Sequence, residues 1–337
     1  MICKTEYHID FDVPTDNFIF YNFYPSDTDN LTKCISAVTE QITDKDTLII
    51  LFAGYQRLME HDYWITGLNN LQEELGNRIV LFNGALGPVK SGVAIPQFEY
   101  YKICLFDQVS VIFWERLQKK SPIKINDQDR QYKFYWASSK DLLARRYTLA
   151  GIIKYNLLQS GLVNYKCIHS NVDYQLRSGV VDEIIKLECE SIAFMVPLPP
   201  LDNTINFYST NSAFYNDTYL SIITDTFYDS EIFLSEKIFN AMLYEHFFFY
   251  IGPAGTLEYL RGCGYHTFDA IIDTSYDSIV NDEQRLVAAR NSLIVFLSQP
   301  IEIIRKLYQE HSAQLLNNKR IVLSQHRDTE ITNLLNK

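Results

Sequence analysis

Continuous apolar runs and helical stripes alternate along this chain. Residues 47–52 (TLIILF) and 78–82 (RIVLF) read as buried strands, closed by Ala53-Gly54 and Asn83-Gly84. Between them, residues 62–75 have the length and spacing of a helix. Strands that alternate with helices and end in glycine predict a parallel sheet covered on both faces. Ligands in such sheets collect at the carboxyl ends of the strands.

A polar stretch from Lys119 to Arg130 reads as a linker into a second series. Residues 133–137 (KFYWA) form the first strand there, and Ser138 with Asp141 resembles a weak capping box. On the following helix Leu143, Tyr147, Ala150, Ile153 and Leu157 make one apolar stripe; Arg146 flanks it and Arg145 lies opposite. That helix is expected to end near Gly161, with another short strand over 166–169. Residues 170–215, with Pro197-Leu198-Pro199-Pro200, read as an irregular connection. Order resumes in a strand over 219–224, a helix opened by Ser235, the apolar strand 247–251 and the turn Gly252-Pro253-Ala254-Gly255. From Asp282 onward the pattern is helical, broken at Pro300.

The length, 337 residues, suits two domains. We expect an N-terminal domain over 1–128, a second domain over 129–300 and a helical tail over 301–337. A net charge of −11 with no Lys/Arg-rich run disfavours non-specific nucleic-acid binding. The six cysteines are scattered, with no CxxC pair and no nearby His at ligand spacing, as reduced thiols in a cytoplasmic protein would be. The N-terminus lacks the basic and apolar regions of a signal peptide, and no apolar run has the length of a membrane span.

The sharpest chemical signal is Glu236-Lys237 in the first turn of the helix that Ser235 opens. The macrodipole makes a lysine unfavourable there unless an anion sits between the helix end and the ammonium. Glu236 beside it can accept hydrogen bonds from sugar hydroxyls, so the segment suggests a nucleoside-diphosphate site. Arg145 or Arg146 could grip a diphosphate bidentately, and Gly252 and Gly255 could admit it close to the backbone. In the first domain Glu60, His61 and Asp62 follow a strand-end turn and offer a base for a hydroxyl proton; Glu99 is a further candidate. There is no GxGxxG fingerprint, P-loop or GxSxG elbow. Asp10-Phe11-Asp12 lies in a strand-like run, so no metal-holding pair is assigned and no cofactor is expected.

The segments from Ser221 to Phe227, Leu234 to Phe239, Gly252 to Arg261, Gly264 to Asp269 and Ser275 to Asp277 resemble the donor side of the α-1,3-fucosyltransferases and their phage and marine bacterial relatives. Phe134-Tyr135-Trp136 with Arg145-Arg146 is similar to that group's arginine-bearing helix. The resemblance covers about residues 133–295. It implies an α/β protein of GT-B architecture: two Rossmann-like domains facing across a cleft, with a C-terminal helical tail. It implies an inverting glycosyltransferase that moves a sugar from a nucleoside-diphosphate sugar to a glycan or other hydroxyl acceptor; metal independence is expected because no Asp-x-Asp pair stands at a strand end. The donor would rest on the second domain, with Glu236 on the ribose and Lys237 and Arg145 or Arg146 on the diphosphate. Asp225, Thr226 and Phe233 fall at donor-side positions of the same motifs. Ser235 and Phe233 stand where that group has Thr and Tyr, and Asp225-Thr226 where it has Glu-Asn, so GDP-fucose does not follow as donor. Two other functions stay open: glycosylation of modified phage DNA, which the acid pI of about 5.1 disfavours, and a non-catalytic nucleotide-binding protein.

Overall fold

Phe247-Phe248-Phe249-Tyr250-Ile251 has no polar alternation, and a strand of that kind is stable only with both faces covered. In the computed structural model all five residues are buried, as are all seven of Thr218–Thr224 beside them. The structure describes residues 2–4, 10–12, 18–23, 28–42, 46–53, 62–83, 96–102, 104, 110–111, 114–115, 129–138, 142–165, 175–176, 179–180, 212–225, 228, 232–324 and 327–336. The chain divides into two compact units: Met1–Ile112 with Glu231–Leu234 and Gln325–Lys337, and Phe113–Ser230 with Ser235–Ser324. The expected tail is thereby divided, its last helix belonging to unit 1.

Unit 1 begins with the antiparallel pair β1 (Ile2–Lys4) and β2 (Asp10–Asp12). A parallel sheet follows, built from β3 (Phe18–Phe23), β4 (Leu48–Ala53), β5 (Ile79–Asn83) and β6 (Glu99–Lys102) in that spatial order. Helices α1 (Thr28–Thr39) and α2 (Asp62–Leu75) accompany it. Cys34, Val38, Ile49, Leu51, Trp64, Leu68 and Leu81 share the core between helices and sheet.

Unit 2 holds β7 (Tyr132–Ser138), α3 (Leu143–Lys154), β8 (Gly161–Tyr165), the short pair β9 (Gln175–Leu176) and β10 (Gly179–Val180), α4 (Ser212–Asn216) and β11 (Thr218–Thr224). It continues through α5 (Glu236–Leu243), β12 (Phe247–Ile251), α6 (Thr256–Gly262), α7 (Asp282–Leu297), α8 (Ile301–Glu310) and α9 (Ser312–Leu323). The last helix, α10 (Arg327–Leu335), returns to unit 1, where Arg78 Nη1 donates to Leu335 O at 3.0 Å. The unit 2 sheet is parallel in the order β12-β11-β7-β8. The chain goes from β7 to one side, then returns to place β11 on the other. The gap between β7 and β11 is therefore a topological switch point. No single described helix is long and apolar enough to cross a membrane, and Cys34, Cys104 and Cys263 carry free thiols.

Several expected boundaries move. Ser138 is the last residue of β7, and the N-cap of α3 is Leu142, four residues beyond the expected cap, without a side-chain cap hydrogen bond. That helix ends at Lys154, where Asn156 turns left-handed at φ 55°, a common way to stop a helix. Gly161 opens a strand instead of closing the helix, and the strand expected over 166–169 lies outside the described residues. Arg145 is not on a solvent face, because every residue from Leu143 to Ile152 is buried.

His246, in the turn before β12, is fully buried, with Nδ1 3.0 Å from Ser221 Oγ and Nε2 2.6 Å from Tyr215 O. Burial first, then the Arg130 charge, push its pKa well below the ordinary value. Above pH ~6.5 neither folded nor unfolded protein protonates it; below, only the unfolded chain takes the proton. Stability is therefore expected to fall as the solution is acidified below that value, by at most about 1.4 kcal/mol per pH unit from this group. Denaturant titrations between neutral and mildly acidic pH should show this slope reduced in His246→Gln.

Candidate functional site

The carboxyl ends of β7 and β11 are held together by side chains that the strands themselves supply. Trp136 Nε1 donates to Thr224 Oγ1 at 3.2 Å. Arg145, from the first turn of α3, donates to Thr224 O through Nε at 3.3 Å and Nη2 at 3.1 Å. A guanidinium is thus fixed at the switch point, and Arg146 beside it is also buried.

The next residue, Asp225, is buried and accepts a short hydrogen bond from Tyr250 Oη on β12. Burial, reinforced by the Asp225 charge, raises the Tyr250 pKa well above its ordinary value, so the phenol keeps its proton and remains a donor. The backbone supports the same junction, with Asp225 N on Ile251 O at 2.8 Å.

Two helices begin at this end of the sheet, and their first turns differ. For α6, Gly255 takes the N-cap position at φ 78°. Asp277 closes that end: its Oδ1 accepts from Leu257 N at 3.1 Å and its Oδ2 from Glu258 N at 3.0 Å. Its own pKa is raised by burial, against those two N–H groups, which lower it. A carboxylate from the chain occupies the place a phosphate would take there. For α5, Ser235 is in the cap position with extended backbone (φ −85°, ψ 168°), yet its hydroxyl makes no cap hydrogen bond and the residue is only 7% exposed. Lys237 Nζ reaches Glu236 Oε1 at 2.6 Å in the same turn. Part of the ammonium's misfit at the helix end is thus offset locally.

The structure brings Arg145, Arg146, Asp225, Ser235, Glu236, Lys237, Gly252 and Gly255 into unit 2. Phe233 is buried but belongs to unit 1 with Glu231–Leu234. Thr226, Glu60 and His61 lie outside the described residues, and Asp62 is the first residue of α2. Glu99 is not available as a base. It stands at the amino end of β6, opposite the ligand-binding ends, and Arg78 holds both its oxygens at 2.5 and 2.8 Å. That pair lowers the Glu99 pKa.

Tyr250, Asp277 and Arg285 tie the strand ends and turns of this region together through hydrogen bonds and were not among the expected site residues. Arg285 is 2% exposed, and its partners Gly252, Tyr228 and Asp282 are far from one another in sequence. One signal was present: an arginine inside an otherwise apolar helical stripe (Leu286, Ala289, Leu293) has to find buried acceptors.

Unit 2 is a parallel α/β sheet of the doubly wound type, with buried charge at its switch point. No family model matches the chain, and no curated protein matches it. Among solved structures it is similar to an alpha,alpha-trehalose-phosphate synthase (UDP-forming) from Burkholderia vietnamiensis. That pair shares 11% identity at TM-score 0.44, covering 94% of this chain and 79% of the other. It is also similar to an alpha,alpha-trehalose 6-phosphate synthase from Burkholderia multivorans, at 12% identity and TM-score 0.41, over 91% and 74% of the two chains. Likenesses this distant leave the fold to rest on the two sheets themselves.

Gly252 is required by a close approach: a Cβ there would lie 2.3 Å from the Tyr250 ring. At Gly255 a Cβ would meet open space, so only the positive φ opposes substitution. Gly252→Ala is expected to destabilise by about 1–3 kcal/mol through overpacking, and Gly255→Ala by about 1–2 kcal/mol through backbone strain. Urea titrations of both variants measure this, and only Gly252→Ala should also disturb the near-ultraviolet signal of the buried tyrosine.

Proposed function

We propose that this chain is a glycosyltransferase of GT-B type that takes a sugar from a nucleoside-diphosphate sugar and passes it to an acceptor hydroxyl. The observation that carries this reading is the amino end of α5. It lies after the carboxyl end of β11, its cap residue Ser235 is buried without capping the helix, and Lys237 and Glu236 stand in its first turn. Helix ends of this kind attract phosphate through oriented N–H groups and the macrodipole. The neighbouring α6 does not compete, since Asp277 fills its end. The resemblance of the Ser235-Glu236-Lys237 segment to fucosyltransferase motifs points to the same ligand.

In this reading Lys237 and the arginines of α3 offset the charge that develops on the departing diphosphate, which is commonly the largest catalytic term. Glu236 holds the ribose, and a carboxylate or imidazole of unit 1, from Glu60, His61 or Asp62, takes the acceptor's proton. Because side chains supply the positive charge that offsets the leaving diphosphate, we propose a metal-independent transfer; inversion is proposed on the fucosyltransferase resemblance alone.

A thermal-shift and calorimetric series with GDP, UDP, ADP and CMP tests the donor side. At least one is expected to bind the wild type, and binding to none overturns the reading. Lys237→Ala should weaken the bound nucleotide by about 1.5–3 kcal/mol, as for a charge-assisted contact, with an unchanged fold by circular dichroism. Transfer assayed in EDTA should retain its rate; a full loss restored by Mn²⁺ or Mg²⁺ would refute metal independence. Binding without hydrolysis or transfer would leave a nucleotide-binding protein.

A further inference from the structure

Among the described residues of unit 2, Arg285 is the most deeply buried charged side chain, at 2% exposure. It sits in the first turn of α7, where the macrodipole disfavours a cation. Its guanidinium is compensated by acceptors from three separate stretches. Nε donates to Gly252 O at 3.1 Å, just past β12, and Nη2 donates to Tyr228 O at 2.9 Å, in the loop that follows β11. Nη1 donates to Ile279 O at 2.8 Å, and Asp282 supplies a carboxylate at 2.5 Å. The Tyr228 ring stacks against the same group, 4.6 Å from the guanidinium carbon.

These contacts lead toward the switch point in two short steps. Gly252, held by its carbonyl, packs against the Tyr250 ring so closely that a Cβ has no room. Tyr250 in turn donates a hydrogen bond to Asp225. A lysine could match the charge of Arg285 but not its forked reach to several carbonyls at once.

Resting on the donor reading above, we propose that Arg285 is a positioning residue for the nucleotide site. It fixes the loops after β11 and β12 relative to each other and, through Gly252 and Tyr250, sets the orientation of Asp225. It touches no substrate. Its effect on binding therefore passes through Tyr250, which a purely structural role does not require.

The test measures nucleoside-diphosphate affinity calorimetrically, well below the melting temperature, with GDP and UDP as probes. Arg285→Lys and Tyr250→Phe are each expected to raise Kd about tenfold, and the double variant by no more than the larger of the two single effects, because residues acting through one chain of contacts are not additive. An unchanged Kd in folded Arg285→Lys overturns the inference, and so does strict additivity of the two losses. If Arg285→Lys does not fold, Asp282→Asn, which removes only the carboxylate anchoring the guanidinium, takes its place with the same two outcomes. Wild type that binds neither probe nor any other nucleoside diphosphate overturns the donor reading instead.

Discussion

The end of β11 is the point on which unit 2 depends. Thr224 accepts from Trp136 through its hydroxyl and from Arg145 through its carbonyl, and Asp225 accepts from Tyr250. Each donor comes from a different element: a neighbouring strand, a helix and the other neighbouring strand. A buried carbonyl or carboxylate without such partners costs several kcal/mol. The strand order, the tilt of α3 and the rotamer of Tyr250 are therefore constrained by one short stretch of backbone. The positive charge collected at the switch point is part of the same arrangement.

The contrast between α5 and α6 follows from similar physics. Both helices follow strands of one sheet in sequence, α6 after a short turn and α5 after a longer loop. Asp277, brought in by the turn before α7, satisfies the first N–H groups of α6 and makes the glycine loop a structural joint. Ser235 does not do the same for α5. Two helix ends that follow strands of the same sheet thus differ in what they can accept.

Much of the architecture was legible from residue patterns. The strands at 48–53, 79–83, 132–138, 218–224 and 247–251 and the helix at 62–75 lie where unbroken apolar runs and a helical stripe place them. The helix at Ser235 was legible for another reason, a cap residue before a favourable acidic first turn. What failed was local punctuation. Ser138 and Asp141 have capping letters, but the parallel ladder extends through Ser138 and delays the helix. Arg145 was placed on an outer face by helical period alone, which ignores a carbonyl waiting at the end of a strand some eighty residues later. Glu99 was a candidate by residue type, and only the pairing with Arg78 revealed which end of the strand it occupies. The roles of Asp277 and Arg285 depend on contacts that no window of sequence contains.

The return of α10 to unit 1 bears on how the chain is made. Arg78 grips Leu335, 257 positions further along the sequence. A ribosome delivers the strands of the first sheet long before it delivers the helix that completes their unit. Contacts so distant in sequence close late and slow folding. Unit 1 therefore lacks α10 until all of unit 2 has been synthesised, and a chain cut before Arg327 would leave Arg78 without its acceptor at Leu335. The emergence of α10 is thus the step at which the first sheet gains its most sequence-distant partner.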